Sequence, residues 1–286
     1  MNPLLKRLHQ KPLHQFVCVL LILASLVYAQ TAPIPDPAAL LKEVQEQQHK
    51  TDIIRENYTF HELIRTDTLD DKGVVKETKT EESEIFFVNG HKVIRLVKKD
   101  GAELNASDQK KEQDRVKKEI DGFAKAPREI ERGRGGGRDR VITRLLAVAK
   151  ASNVRRLTFR DRPTLVFDFT GDPKAKADGM DQNAARKVAG TIWVDEADRQ
   201  IARFEIHFYD NFSVGGFLAK VQKGTSMAVD QSPLGEGLWM QVSSEDHVEA
   251  RLVVKNYRLN VHIQDFDFKR FDIGTKQQIG APATPR

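Results

Sequence analysis

Apolar side chains recur at every second position through most of this chain, and that period places them on one face of a β-strand. Tyr58, Phe60 and Ile64 fall on one side of the first such segment, His61 and Arg65 on the other. After a turn at Asp70, Asp71, Lys72 and Gly73, a second strand starts polar at Lys76, Thr78 and Thr80 and ends apolar at Ile85, Phe86, Phe87 and Val88. Asn89 and Gly90 tolerate positive φ at low steric cost, which predicts a two-residue hairpin, and residues 93–97 return as a third strand. Further strands are predicted over 155–160, 164–170, 190–195 and 201–209. Within them Leu165, Phe167 and Phe169 alternate with Val166 and Asp168, and Ala202, Phe204, Ile206 and Phe208 alternate with Arg203, Glu205 and His207. Such alternation is expected where one face is buried. A segment around Ser226 and stretches over 238–244, 248–261 and 265–271 complete the run, with tight turns at Arg162-Pro163 and Asp198-Arg199.

Three segments carry the helical period instead. Leu40, Leu41 and Val44 predict a helix to about Lys50, with Asp36 as N-cap and Pro37 at the first helical position. Val116, Ile120 and Phe123 form a narrow apolar stripe on the charged segment 107–124. Val141, Leu145, Val148 and Ala149 suggest another helix from about Asp139, after an Arg-Gly stretch at 132–138 whose glycines bury nothing and read as a mobile loop. The fold class predicted is α+β, mainly β: a curved antiparallel sheet or half-open β-barrel, with two or three helices packed on or in its concave side.

The ends of the chain change the picture. Lys6, Arg7 and Lys11 precede an apolar run from Phe16 to Tyr28, and Val27-Tyr28-Ala29 offers a cleavage site before Gln30, with a cut after Ala32 as the alternative. The run is shorter than the roughly 20 residues that span a bilayer, so residues 1–29 read as a secretory signal peptide and the working protein as periplasmic or secreted. Cys18 lacks the small preceding residues of a lipidation site and is the chain's single cysteine, so disulfides cannot stabilise the exported form. Residues 30–37, with three prolines, read as a flexible tether, 38–273 as a single β domain with a charged helical insertion at about 100–150, and 274–286 as a disordered tail. The formal charge of +5 falls to about +2 without the leader, so nucleic acid is not implied.

Catalytic chemistry leaves recognisable spacings, and none is present. The chain has no His-Glu-x-x-His pair, Gly-x-Ser-x-Gly elbow or Gly-Lys-Ser/Thr loop. Lys223-Gly224-Thr225-Ser226 has phosphate-loop residues in the wrong order and reads as a turn. His247-Val248-Glu249 lacks the cysteines that would hold a deaminase zinc. His49, His61, His91, His207, His247 and His262 are scattered over different elements and read as solvated or hydrogen-bonded residues rather than ligands. Glu82 and Glu84 share a strand face with Glu81 opposite, which reads as a solvated face. No enzyme, metal site or cofactor is expected.

The order of signal peptide, helix, β-meander, helical insertion and a long run of strands resembles the LolA and LppX class of periplasmic lipoprotein-binding proteins. The local likeness lies at Gly190-Thr191-Ile192-Trp193-Val194-Asp195 followed by Ile201-Ala202-Arg203-Phe204-Glu205, similar to a Gly-x-hydrophobic-Trp-hydrophobic-Asp hairpin of that class. The chain is also similar to envelope proteins of soil bacteria. The resemblance implies a half-open barrel holding lipid or lipoprotein acyl chains beneath a helical lid. This chain departs from the small carriers in its length, in the charged insertion over 100–138 and in the extended ending over 252–271, and no functional arginine of the class can be placed on it. Phe60, Phe167, Phe169, Phe204 and Phe208 are the expected cavity lining, with Gly215 and Gly216 as a movable rim. Alternation leaves open whether their faces meet a void or packed side chains. The competing expectation is a filled-core scaffold that binds an envelope protein partner. A monomer is expected in either case.

Overall fold

Where the hydrophobic period is two, the backbone pairs as expected, and antiparallel neighbours accumulate into one sheet. The computed structural model describes residues 33–127, 145, 147–215, 218–235 and 237–270. The leader, the start of the tether, the Arg-Gly stretch, most of the helix expected from Asp139, Gly216 and the tail lie outside the described residues. The strands are β1 (Tyr58–Leu69), β2 (Val75–Val88), β3 (His91–Lys99), β4 (Ala102–Glu103), β5 (Ala149–Phe159), β6 (Arg162–Gly171), β7 (Val188–Asp195), β8 (Ile201–Phe208), β9 (Phe212–Val214), β10 (Ala219–Val221), β11 (Ser226–Gly235), β12 (Leu238–Leu252) and β13 (Lys255–Arg270). The helices are α1 (Pro37–Arg55), α2 (Ala106–Lys125) and α3 (Gly179–Ala185).

The strand order is β4-β3-β2-β1-β13-β12-β11-β8-β7-β6-β5, antiparallel throughout, and the curved sheet does not close into a barrel. The short β9–β10 pair attaches to the far end of β12. The chain therefore folds as an α+β, mainly β structure, and its described residues from Pro37 onward pack as one unit.

The Asn89-Gly90 turn forms as the residues dictate. Val88 pairs with His91, and φ is 52° at Asn89 and 80° at Gly90. Other boundaries differ from the sequence reading. The turn between β5 and β6 is Arg160 and Asp161, both at positive φ, and Arg162-Pro163 opens β6 instead. Val148 lies in a turn and Ala149 starts β5, so helical spacing there gives way to strand pairing with Gly171. Helix α1 runs five residues past Lys50 because Gln48 and Thr51, both buried, continue its inner stripe with polar side chains. The stretch 248–261 contains a hairpin turn at Val253 and Val254, between Leu252 and its partner Lys255.

Strand alternation assigns the helices to opposite faces. Ile85 packs with Phe60, Leu238, Met240 and the α1 residue Ile54, whereas its neighbour Phe86 packs with Val93 and the α2 residue Val116. Adjacent residues on a strand point to opposite faces, so α1 and α2 cannot share one. The α1 face carries the main core, in which Leu40 and Val44 meet Leu165, Phe167, Phe169, Ile192, Ile201, Phe204 and Val229. Beyond α2, the other face is a ladder of polar residues. Glu82 pairs with His61 at 3.1 Å and Lys98 at 2.9 Å, Asp67 accepts from Thr78 and Arg65, and Arg203 bridges Asp230 and Glu205.

Candidate functional site

The residues expected to line a cavity are placed as follows. Phe167, Phe169 and Phe204 lie together in the main core, at most 4 % exposed, beneath α1. Phe60 belongs to a separate cluster with Ile85 and Met240. Phe208 is half-buried against the edge of the main core, and its ring faces Phe212 at 6.5 Å between centroids. Gly215 lies at the sheet margin with φ of 61°, a value that favours glycine. Gly190 in the Trp hairpin has a packing role, since a Cβ there would meet the Phe169 ring at 2.8 Å.

A concavity lies at this margin of the sheet. It is an open cleft of about 490 Å³ between the α3 end and the start of β9, lined by Pro173, Met180, Arg186, Lys187, Tyr209, Phe212 and Gly215 among others. Tyr209 builds its floor. The hydroxyl donates to the Arg186 carbonyl at 2.5 Å, and the Tyr209 amide donates to the Lys187 carbonyl at 3.1 Å. The α3 end can seat there because Gly171 has no Cβ to strike the Ala185 and Arg186 backbone. Lys187 pairs with Asp210 at 3.1 Å. Arg186 donates to the Pro173 carbonyl and to Asn183, while its buried Nε–H finds no acceptor among the described residues. The cleft thus combines apolar surface from Met180, Phe212 and Pro173 with the Lys187–Asp210 pair and the Arg186 guanidinium, which leaves one cation in excess to meet an amphipathic anion.

A second, shallower groove of about 350 Å³ crosses the polar face over β8, β11, β12 and β13. It gathers His207, His247 and His262 with Glu205, Glu245 and Asn260, which cross-strand register places in two adjoining rows. Spacing along the sequence gave no sign of this, because the meeting depends on which strands pair. His247 sits between Asn260 at 2.7 Å and Glu249 at 3.3 Å, so its ring is held by structural partners. Among the described residues no group of three His, Cys, Asp or Glu could hold a metal ion.

No family model and no curated protein matches the chain. Several solved structures align with it at low identity and low TM-score. A DUF1329 family protein from Desulfovibrio piger is 11% identical, with 85% of this chain and 96% of that chain covered and a TM-score of 0.35. A putative outer membrane lipoprotein-sorting protein domain from Vibrio parahaemolyticus is 9% identical, with 82% and 94% covered and a TM-score of 0.29. The MucA/MucB complex of Pseudomonas aeruginosa matches at 8% identity, with 80% and 99% covered and a TM-score of 0.22. Among the described residues no helix is long and apolar enough to cross a membrane.

Proposed function

We propose that this chain is an exported, non-enzymatic binding protein of the cell envelope, and that it holds acyl chains of lipid or lipoprotein in the margin cleft. The observation that carries this reading is the placing of apolar Met180 and Phe212 beside the Arg186 guanidinium, with Lys187 paired to Asp210, around about 490 Å³, volume enough for one end of an acyl chain with its anionic group. On this reading Phe208 supports the cleft through Phe212, Gly215 forms its rim, and Phe60, Phe167, Phe169 and Phe204 brace the sheet behind it.

A fluorescent fatty acid titrated into the exported protein tests the reading. Phe212→Ala weakens binding by about tenfold with little loss of stability, as expected for a half-buried contact residue. Phe204→Ala costs roughly 3–5 kcal/mol in denaturant unfolding, the range for a packed core phenylalanine. Loss of binding in Phe204→Ala at a small stability cost moves the acyl site beneath the sheet. If neither fatty acid nor lipopeptide binds the wild type, the filled-core scaffold for an envelope protein replaces the carrier. The close packing of Phe167, Phe169 and Phe204 under α1 supports that second reading.

A further inference from the structure

The β12–β13 turn breaks a local rule. Leu252 pairs with Lys255, so Val253 and Val254 alone form the turn, at positions where two-residue hairpins call for glycine, asparagine or aspartate. Val253 has φ of 54°, a left-handed conformation in which a β-branched side chain is a steric outlier. Neither valine gains burial in return, since Val253 is 55% exposed and Val254 81%. Folding alone would favour glycine at the first of these positions. Apolar side chains kept there at a conformational cost point to a contact made outside the chain.

The surroundings indicate what that contact is. Leu218 joins the tip, because its carbonyl accepts the Val253 amide at 2.8 Å and its own side chain is exposed. Leu252 is exposed beside it and pairs with Ala219. The β1–β2 turn, with exposed Val74 and Val75, is tied to the same end of the sheet by Arg258, which donates to the carbonyls of Asp70 and Asp71. Lys220 and Arg251 face each other one residue back from the tip and Lys255 closes the turn, while the β1–β2 turn contributes Asp70 and Asp71 together with Lys72 and Lys76. The β12–β13 tip, aliphatic and flanked by Lys220, Arg251 and Lys255, matches a membrane surface with anionic headgroups, in which apolar groups enter the acyl boundary while lysines and arginines remain at headgroup level.

We propose that this end of the sheet is a membrane-docking edge, in which Val253, Val254, Leu252 and Leu218 insert into an anionic lipid surface under guidance from Lys220, Arg251 and Lys255. The proposal does not depend on the margin cleft, since an edge can dock whether or not the cleft is loaded. It is tested by co-sedimenting the exported protein with phosphatidylglycerol-containing vesicles and with pure phosphatidylcholine vesicles. The wild type sediments with the anionic vesicles, and raised salt releases it. Val253→Gly combined with Val254→Asn supplies a better turn, so the variant melts no lower than the wild type and yet loses at least tenfold in vesicle binding. Lys255→Glu with Arg251→Glu loses binding to the anionic vesicles selectively. A wild type that stays in the supernatant with both vesicles overturns the proposal, and so does a Val253→Gly/Val254→Asn protein that sediments like the wild type. Fatty-acid binding retained by the turn variant separates this result from failure of the cleft reading.

Discussion

At Gly190 the backbone of β7 passes directly beneath the Phe169 ring, with Phe169 as its cross-strand partner. A Cβ would lie 2.8 Å from Phe169 Cζ and 2.9 Å from the Glu205 carbonyl carbon, with the Glu205 oxygen closer still. Backbone and a buried ring cannot both retreat, so glycine is required by close approach rather than by φ. Gly190→Ala therefore destabilises by about 1–3 kcal/mol, the usual range for overpacking. Urea unfolding checks this, and an unchanged midpoint would mean that β7 and β8 have room to separate. The glycine of the Trp hairpin thus acts as a packing residue that leaves room for the Phe169 ring.

Among the elements, the β7–β8 corner holds a buried carboxylate paired with an arginine. Asp195 is 1 % exposed, and its carboxylate accepts from Arg162 Nε at 2.5 Å and Nη2 at 2.9 Å and from the amides of Ala197 and Asp198. Burial alone would raise its pKa, but the Arg162 hydrogen bond, the backbone donors and the Arg162 charge together hold it below the ordinary aspartate value. The unfolded chain then takes up this proton more readily than the folded one. The stabilisation is complete above the unfolded pKa of about 3.9 and is lost as pH falls through the lower folded value. Asp195→Asn is accordingly less stable than the wild type at pH 7, and the gap narrows as urea melts are taken from pH 5 towards pH 3. A gap independent of pH would assign the loss to hydrogen-bond geometry alone.

The same scale shows what was legible in the sequence. The meander, the Asn89-Gly90 turn and α2 follow from patterns confined to neighbouring residues. The β12–β13 hairpin was hidden because Val-Val carries no turn signal, and the end of α1 because its inner stripe turns polar at Gln48 and Thr51. Thr51 there receives a hydrogen bond from buried Gln200 at 2.5 Å, so the burial depends on a partner distant in sequence. The seven-residue α3 is too short for a period to emerge. The margin cleft was not legible beyond Gly215, since Met180 of α3 and its C-cap residue Arg186 meet Tyr209 and Phe212 only once the sheet is complete. Edge protection was equally concealed. The β3 amide of Leu96 donates to Glu112 at 2.7 Å and Arg115 donates to the Ile94 carbonyl, so two α2 side chains take the place of a neighbouring strand.

For the whole molecule, α1 is the element that joins regions the sheet keeps apart. Its first turns carry Leu40 and Val44 into the main core over β6, β7 and β8, and about 20 Å further along Ile54 reaches the Phe60 and Ile85 cluster. Between these two contacts, Gln200 in the link between β7 and β8 locks onto Thr51 and the Gln47 carbonyl. A helix fixed at three points along an open sheet makes unfolding of either end felt by the other. Leu40→Ala, which truncates a fully buried side chain, is expected to cost about 2–5 kcal/mol. The two tryptophans, Trp193 on β7 and Trp239 on β12, report on the sheet by fluorescence, while far-UV circular dichroism reports on the helices together with the strands. Both signals should move to the same lower midpoint in Leu40→Ala, because loss of the α1 anchor weakens the joined structure as a unit. A circular-dichroism change that precedes the fluorescence change would show α1 detaching on its own and would reject its role as the brace.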